Sequence, residues 1–287
     1  QAYEYLIGAE ELASLALMLD ARKDAAADQP RDDLRELWAQ PSMPYTLDEG
    51  GMLLGSLEDL TGKFNLNYLV ATTTAKLDEN NFSASEAQFI RLLRSVTEPP
   101  LSLGEAVSLT EAVIDWMDID AEPRAQGAED MWYGSQQPPY RAANRPMASI
   151  SELRLVRHVT PKLYEQLAPL ITVWPRTPRP MNIHTVGLSL LRTFNGNGDL
   201  NPLSHDEAKL LLNERQDVGF NDVESMLASP VFEGRIMSDL KPLLGTSSQY
   251  FRLRASVELG SVEMDLYCIL ERSGQRVTTL SRASVPL

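Results

Sequence analysis

The chain is poor in several residue types, and each shortage excludes something. It has one cysteine, Cys268, in 287 residues, so no disulfide can form within it. Cys268 lies in the alternating run VEMDLYCIL, a pattern that predicts a buried strand position and not a nucleophile. Three histidines, His158, His184 and His205, have no cysteine or histidine partner at zinc-binding spacing. Basic charge is scarce: 26 Lys and Arg stand against 40 Asp and Glu, a net charge of −14. Nucleic-acid binding needs a basic face to neutralise phosphates, and no Lys/Arg run supplies one. An anionic membrane surface is excluded as a partner on the same ground. No apolar run approaches the ~18 residues of a membrane span. There is no glycine-rich phosphate loop and no GxSxG elbow, so the sequence predicts no enzyme.

What is present reads as a globular α+β chain. Hydrophobic residues make up 43% and charged residues 23%, enough to bury a real core in one large or two modest domains. Tyr5, Leu6, Ala9, Leu12, Ala13, Ala16 and Leu19 recur at helical spacing and predict one amphipathic helix over 1–26, ending before Pro30. The helix opens at Gln1 without a capping residue, which predicts an upstream continuation. Tyr3, Leu6, Ile7, Leu15 and Leu17 widen its apolar surface beyond one stripe, marking them as candidate partner-binding residues.

GMLLGSLEDLTGKFNLNYL predicts two short strands or a hairpin, turning at Thr61-Gly62. A helical middle follows: EAQFIRLLRSV after Ser83 and Ser85, SLGEAVSLTEAVIDWM, SELRLVRHV opened by Ser149, KLYEQLAPLI opened by Thr160-Pro161, then VGLSLLRTF, SHDEAKLLLNERQ and NDVESMLAS. From Ser248 the period switches to two. Three strands form an antiparallel meander turning at 259–261 and 273–275. The division read from this is 1–71 for the helix and first strands, 72–232 for an inserted all-α domain, and 233–287 for the meander that completes the sheet.

The middle holds one concentrated chemical signal, DWMDIDAEPRAQGAEDMWY at 115–133. Counting from Asp118, the residues at positions 1, 3, 5 and 12 of a calcium loop are Asp118, Asp120, Glu122 and Glu129, with the Arg124 carbonyl and Gln126 between. Position 6 is Pro123 where an EF-hand needs glycine, so the backbone cannot turn as an EF-hand does. Two readings stand: a solvated acidic loop, or oxygen ligands for calcium on a different backbone. Without a cation such crowding is unfavourable, because like charges raise each other's pKa values. The candidate ligands are Asp118, Asp120, Glu129 and Asp130, with Glu122 in the set and Asp115 one helical turn earlier. A second stretch, NGNGDLN, alternates Asn195, Asn197, Asp199 and Asn201. It carries little charge and reads better as a turn between helices than as a second calcium loop.

GKFNLNYL, EAVIDWMDIDAEPRAQGAEDMWY, PYRAANRPMASISELRLVRHVTPKLYEQLAPLITV and PMNIHTVGLSLL resemble the K-type minor pseudopilins of type II secretion systems, and the likeness runs over essentially the whole chain. The resemblance implies a pilin-like fold, a long N-terminal helix on a small antiparallel sheet, with an inserted α-domain of SAM-like or helix-hairpin-helix character. It implies a non-catalytic protein at the tip of the pseudopilus, partnered by I- and J-type minor pseudopilins and other pseudopilins. It also implies a periplasmic location in a Gram-negative bacterium, with anchoring in the inner membrane through a helical segment absent from these residues. Calcium is implied as well, which tips the reading of the acidic loop. One departure falls at Asn182-Ile183-His184-Thr185, where the family often has asparagine in place of His184, so His184 is expected to be structural.

The helix pairs near 149–170 and 183–228 leave an alternative function, a DNA-uptake or DNA-binding module. The missing Gly-x-Gly hairpins and the negative charge weigh against it.

Overall fold

Residues Ala2–Asp24 form α1 in a computed structural model that describes residues 1–27, 30–40, 42–71 and 82–286. Alanine, leucine and glutamate dominate the segment, all good helix formers. Arg22 and Lys23 close the last turn against the negative end of the helix dipole. Leu6, Ala9, Ala13 and Leu17 form one buried face, at the three- and four-residue spacing expected.

That face lies on a five-stranded sheet. In chain order the strands are β1 (Tyr45–Thr46), β2 (Met52–Asp59), β3 (Tyr250–Leu259), β4 (Val262–Ser273) and β5 (Arg276–Ala283). They neighbour one another in that same order, all antiparallel. The C-terminal three are the meander expected from period-two patterning. Phe251, Leu253, Ala255 and Val257 of β3 and Leu266, Cys268 and Leu270 of β4 meet α1 in one core, joined by Trp38 and Leu47. Each fully buried leucine there contributes ~1.5–3 kcal/mol. Cys268 is fully buried, as its place in the alternation requires. β1 is short for a local reason: Pro44 precedes it and cannot donate to a ladder, so its pairing with β2 stops at Tyr45 opposite Leu53.

Polar residues also enter this core. Glu10 on the buried side of α1 accepts bonds from Arg282 (2.7 and 2.8 Å), Thr279 (2.5 Å) and the Cys268 thiol (3.2 Å). Burial pushes its pKa up, but these donors outweigh burial and hold it below the ordinary glutamate value.

After β2 a second strand forms at Phe64–Asn65, but the two do not make a hairpin. Phe64–Asn65 pairs in parallel with Ile171–Thr172 instead. Phe64, Leu66 and Leu69 are buried, and Phe64 stacks on Phe89 at 5.3 Å, so burial draws this segment away from the sheet.

The chain forms two compact units. One comprises Gln1–Gly62, Asn182–Thr185 and Thr246–Leu287; the other comprises Lys63–Met181 and Val186–Gly245. Thus 63–71 and 233–245 lie in the helical unit, whereas the sequence division grouped them with the sheet. The expected boundary at residue 72 opens a stretch, 72–81, outside the described residues.

The helical unit is built from α2 (Ala84–Val96), α3 (Leu103–Met117), α4 (Asp130–Tyr133), α5 (Pro161–Leu167), α6 (Leu188–Leu191), α7 (His205–Asp217) and α8 (Val223–Leu227). Reciprocal capping boxes start α2 at Ser83/Glu86, α3 at Ser102/Glu105 and α7 at Ser204/Glu207. The predicted SELRLVRHV helix is only a 3₁₀ turn at Ile150–Leu155. Val156 is extended and His158 adopts a left-handed φ of 71°. The next N-cap, Thr160, must stay extended before Pro161, leaving no room for another turn.

Candidate metal centre

The acidic stretch hangs between α3 and α4. Asp118 is the C-cap of α3, and Glu129 is the N-cap of α4. The twelve residues 118–129 therefore leave one helix and return to another, which brings the two ends together. The carboxylates of Asp118, Asp120 and Glu129 place one oxygen each within 4.8 Å of one another.

The loop between them is held without regular structure. Asp120 accepts the Glu122 N–H at 3.0 Å. Glu111 accepts the Gln126 N–H at 2.6 Å. Arg157 donates to the Gly127 carbonyl at 3.0 Å, and its guanidinium also lies over the Trp132 ring, 5.6 Å from the centroid. Trp116, Tyr133 and Tyr140 pack edge-on or tilted at 5.1–6.3 Å, fixing the ends of both helices.

Asp115 lies behind the loop. It is fully buried and accepts the Arg124 N–H at 3.1 Å through Oδ2. Gly127 packs directly on this carboxylate: a Cβ there would stand 1.9 Å from Asp115 Oδ2. That close approach is why the loop has glycine at 127.

Two buried carboxylates here have unmet valence. Glu129 is 4% exposed, yet neither of its carboxylate oxygens has a hydrogen-bond donor among the described residues. Asp115 Oδ1 is in the same position; the nearest cationic group, Arg124 Nε, is 3.9 Å away. Burial, then the neighbouring Asp115, Asp118 and Asp120, push Glu129 up to about 7. Burial chiefly pushes Asp115 up to about 7, with Asp118 adding to it. Buried acceptors without donors cost ~1–3 kcal/mol each, more when charged. A divalent cation among these oxygens would remove the conflict, and an all-oxygen set on irregular backbone is the donor chemistry that calcium takes.

The structure separates the six sequence candidates. Asp118, Asp120 and Glu129 converge, and Asp115 supports them from behind. Asp130 turns away: its Oδ1 accepts the Ala142 N–H at 2.9 Å, and Arg141 lies at 4.0 Å. Glu122 is exposed and outside the converging group.

Sequence reasoning overlooked Asn144. It bonds the Trp116 carbonyl through its backbone N–H (3.0 Å) and the Asp120 carbonyl through Nδ2 (3.4 Å). Its φ is 45°, and its buried side-chain oxygen has no donor among the described residues. The signal was the asparagine in YRAANRP, a residue type that tolerates the left-handed region.

The NGNGDLN stretch is a turn with a cation of its own. Arg91 donates to the carbonyls of Asp199 (2.6 Å), Thr193 (3.0 Å) and Gly196 (2.8 Å). Asp199 accepts from Asn195 and Asn201. The helix-linking reading fits this arrangement.

A second carboxylate group, Asp20, Asp32 and Glu36, lies in the sheet unit. Arg272 is inserted into it, 2.7 Å from Asp20 and paired with Asp32.

Of the candidate partner-binding residues, Leu6 and Leu17 are fully buried in the chain's own core. Tyr3 and Leu15 are about half exposed, and Ile7 is partly buried.

A family model for protein K of the type II secretion system matches residues 62–176. Type II secretion system protein K of Pseudomonas aeruginosa is 33% identical, over 95% of this chain and 77% of its own length. The protein of the same name from Klebsiella pneumoniae is 30% identical, over 98% of this chain and 83% of its own. Among solved structures, a chain of the GspK-GspI-GspJ complex from enterotoxigenic Escherichia coli superposes with a TM-score of 0.83 at 27% identity, covering all of this chain and 96% of that one. A helix laid on an antiparallel sheet and a separate helical unit are thus reproduced from end to end in a solved relative. The chain belongs to the protein K family, the K-type minor pseudopilins, of type II secretion systems.

Proposed function

We propose that this chain is a non-catalytic tip subunit that starts or caps the pseudopilus together with I- and J-type minor pseudopilins. The observation that carries this is the likeness, over its whole length, to a chain solved within a GspK-GspI-GspJ complex. In this reading α1 and its sheet form the pilin-like part. The helical unit, a SAM-like insertion, adds bulk that obstructs a further subunit. The protein works in the periplasm of a Gram-negative cell, anchored in the inner membrane by a segment beyond these residues. No described helix is long and apolar enough to cross a membrane. The net charge of −14 disfavours the DNA-binding alternative.

Calcium has a structural role in this proposal. Asp118, Asp120 and Glu129 would hold it, with Asp115 and the Asn144 side-chain oxygen in support. The support for this is the pair of buried Glu129 oxygens that have no donor among the described residues. The ion supplies charge neutralisation, and the protein's own residues do the rest. Glu129 fixes the start of α4, Asp115 holds the loop through the Arg124 N–H, and the aromatic cluster excludes water from the helix ends.

The test is co-purification of this chain with I- and J-type minor pseudopilins of the same secretion system. A ternary complex is expected. Failure to form it, or incorporation at internal positions of filaments assembled in vitro, would overturn the tip role.

A further inference from the structure

Charge is unevenly distributed along the chain. Residues 140–180 carry seven Lys and Arg against two Asp and Glu, whereas the rest carries nineteen against thirty-eight. These cations are too widely spaced to form a run in the sequence, and the fold gathers them. The Tyr140 hydroxyl donates to the Leu155 carbonyl at 2.9 Å, so 140–155 closes into a loop that carries Arg141, Arg145 and Arg154. Asn67 Nδ2 donates to the Met147 carbonyl at 3.2 Å and to the Val173 carbonyl at 3.1 Å. That side chain ties the loop to the proline-rich stretch around Arg176. All of these residues belong to the helical unit.

Two of the arginines rest on aromatic rings and not on carboxylates. Arg154 lies over Tyr164 of α5, 5.5 Å from the centroid, and Arg176 lies over Trp174 at 5.3 Å. Both are exposed, and neither has a carboxylate within 4.0 Å among the described residues. A guanidinium stacked on a ring is held in one plane while its N–H edge stays free to donate. Pro175 and Pro178 restrict the backbone on either side of Arg176. Lys162 is exposed on α5 nearby. Of the two acidic residues, Glu152 is taken internally, accepting the Ala148 and Ser149 N–H groups at 2.7 and 3.3 Å and pairing with Arg145 at 3.4 Å. Glu165, exposed on α5, is the other.

The surroundings limit what this surface can hold. A nucleic-acid strand or an anionic bilayer would run on over the acidic remainder of the chain and be repelled there. The rings of Tyr164 and Trp174, which could stack on bases, each already carry an arginine. Negative charge confined to the patch fits, and planar guanidinium forks pair best with carboxylates.

We propose that this surface binds a short acidic peptide segment of a protein partner. Its Asp and Glu carboxylates take the free N–H edges of Arg154 and Arg176, with Arg141, Arg145 and Lys162 around them. This binding is separate from the tip assembly proposed above and does not rest on it.

The experiment titrates the full chain into a fluorescein-labelled peptide of about ten residues, rich in Asp and Glu, and follows fluorescence anisotropy. Binding is expected at about 50 mM salt and should weaken at least about tenfold by about 500 mM. The double variant Arg154→Gln, Arg176→Gln, at two exposed positions, should bind at least about tenfold more weakly, with circular dichroism unchanged. Arg276→Gln, at an exposed position on β5, should bind as the parent does. Absence of binding at the lower salt overturns the proposal. So does full affinity in the double variant, or equal binding of the same peptide with Asn and Gln in place of Asp and Glu. Tighter binding of single-stranded DNA or of phosphatidylglycerol vesicles than of the acidic peptide overturns it as well.

Discussion

At the residue scale, Glu129 is where the demands of packing and charge conflict most. The fold buries it as a helix N-cap, surrounds it with Asp115, Asp118 and Asp120, and provides no donor among the described residues. Replacing Glu129 by Gln removes a negative charge without changing shape. Calcium binding measured by calorimetry should then fall below detection, and Asp118→Asn should weaken it at least about tenfold. Glu122→Gln should leave binding unchanged, because that side chain lies outside the converging group. Unaltered binding in the first two variants would assign the ion to other ligands. Spacing in the sequence pointed to this set, since carboxylates two apart converge readily from irregular backbone. It could not separate Asp130 from the rest, because the Ala142 N–H that captures Asp130 comes from a segment twelve residues away.

At the scale of elements, the segment after α1 is held to the sheet unit by Arg272, which pairs with Asp20 and Asp32. Glu36 belongs to the same carboxylate group without a bond to that guanidinium, so negative charge is in excess there. Burial pushes Asp32 up to about 6 and Glu36 up to about 7, although Glu36 accepts the Trp38 indole N–H at 2.8 Å. The sign follows from linkage. Between the unfolded carboxylate pKa of about 4 and these raised values, the folded chain holds more protons than the unfolded chain, so stability falls as pH rises from about 4 to 7. Glu36→Gln keeps an oxygen for Trp38 and deletes the titration. Urea unfolding should show the variant more stable than the parent at pH 8 and flatter between pH 4 and 7. An unchanged slope would place the titration elsewhere. Helix starts were legible in the sequence wherever Ser, Thr or Asp stood before the first turn, because a cap is a local bond. The length of the SELRLVRHV element was not, since it ends on the extended backbone required by the next proline-led helix.

At the scale of the whole molecule, the two compact units should differ in their response to calcium. Calcium at one hundred times its dissociation constant should stabilise the helical unit by about 2.7 kcal/mol. Residue-resolved hydrogen exchange should show α3 and α4 amides slowing with calcium, while β3 and β4 amides stay unchanged. Equal slowing in both units, or none in α3 and α4, would count against the site described.

The sequence by itself determined the α1 stripe, the β3–β5 meander, the absence of disulfides and the acidic loop. Each depends on periodicity, composition or spacing along the chain, which are local properties. Only the tertiary structure decided where 63–71 belongs, which carboxylates converge, and that Asn144 stands beside them. It also showed that Arg91 supplies the cation of the NGNGDLN turn. These depend on which distant segment supplies a donor, a ring or a partner strand, and long-range burial settles that choice.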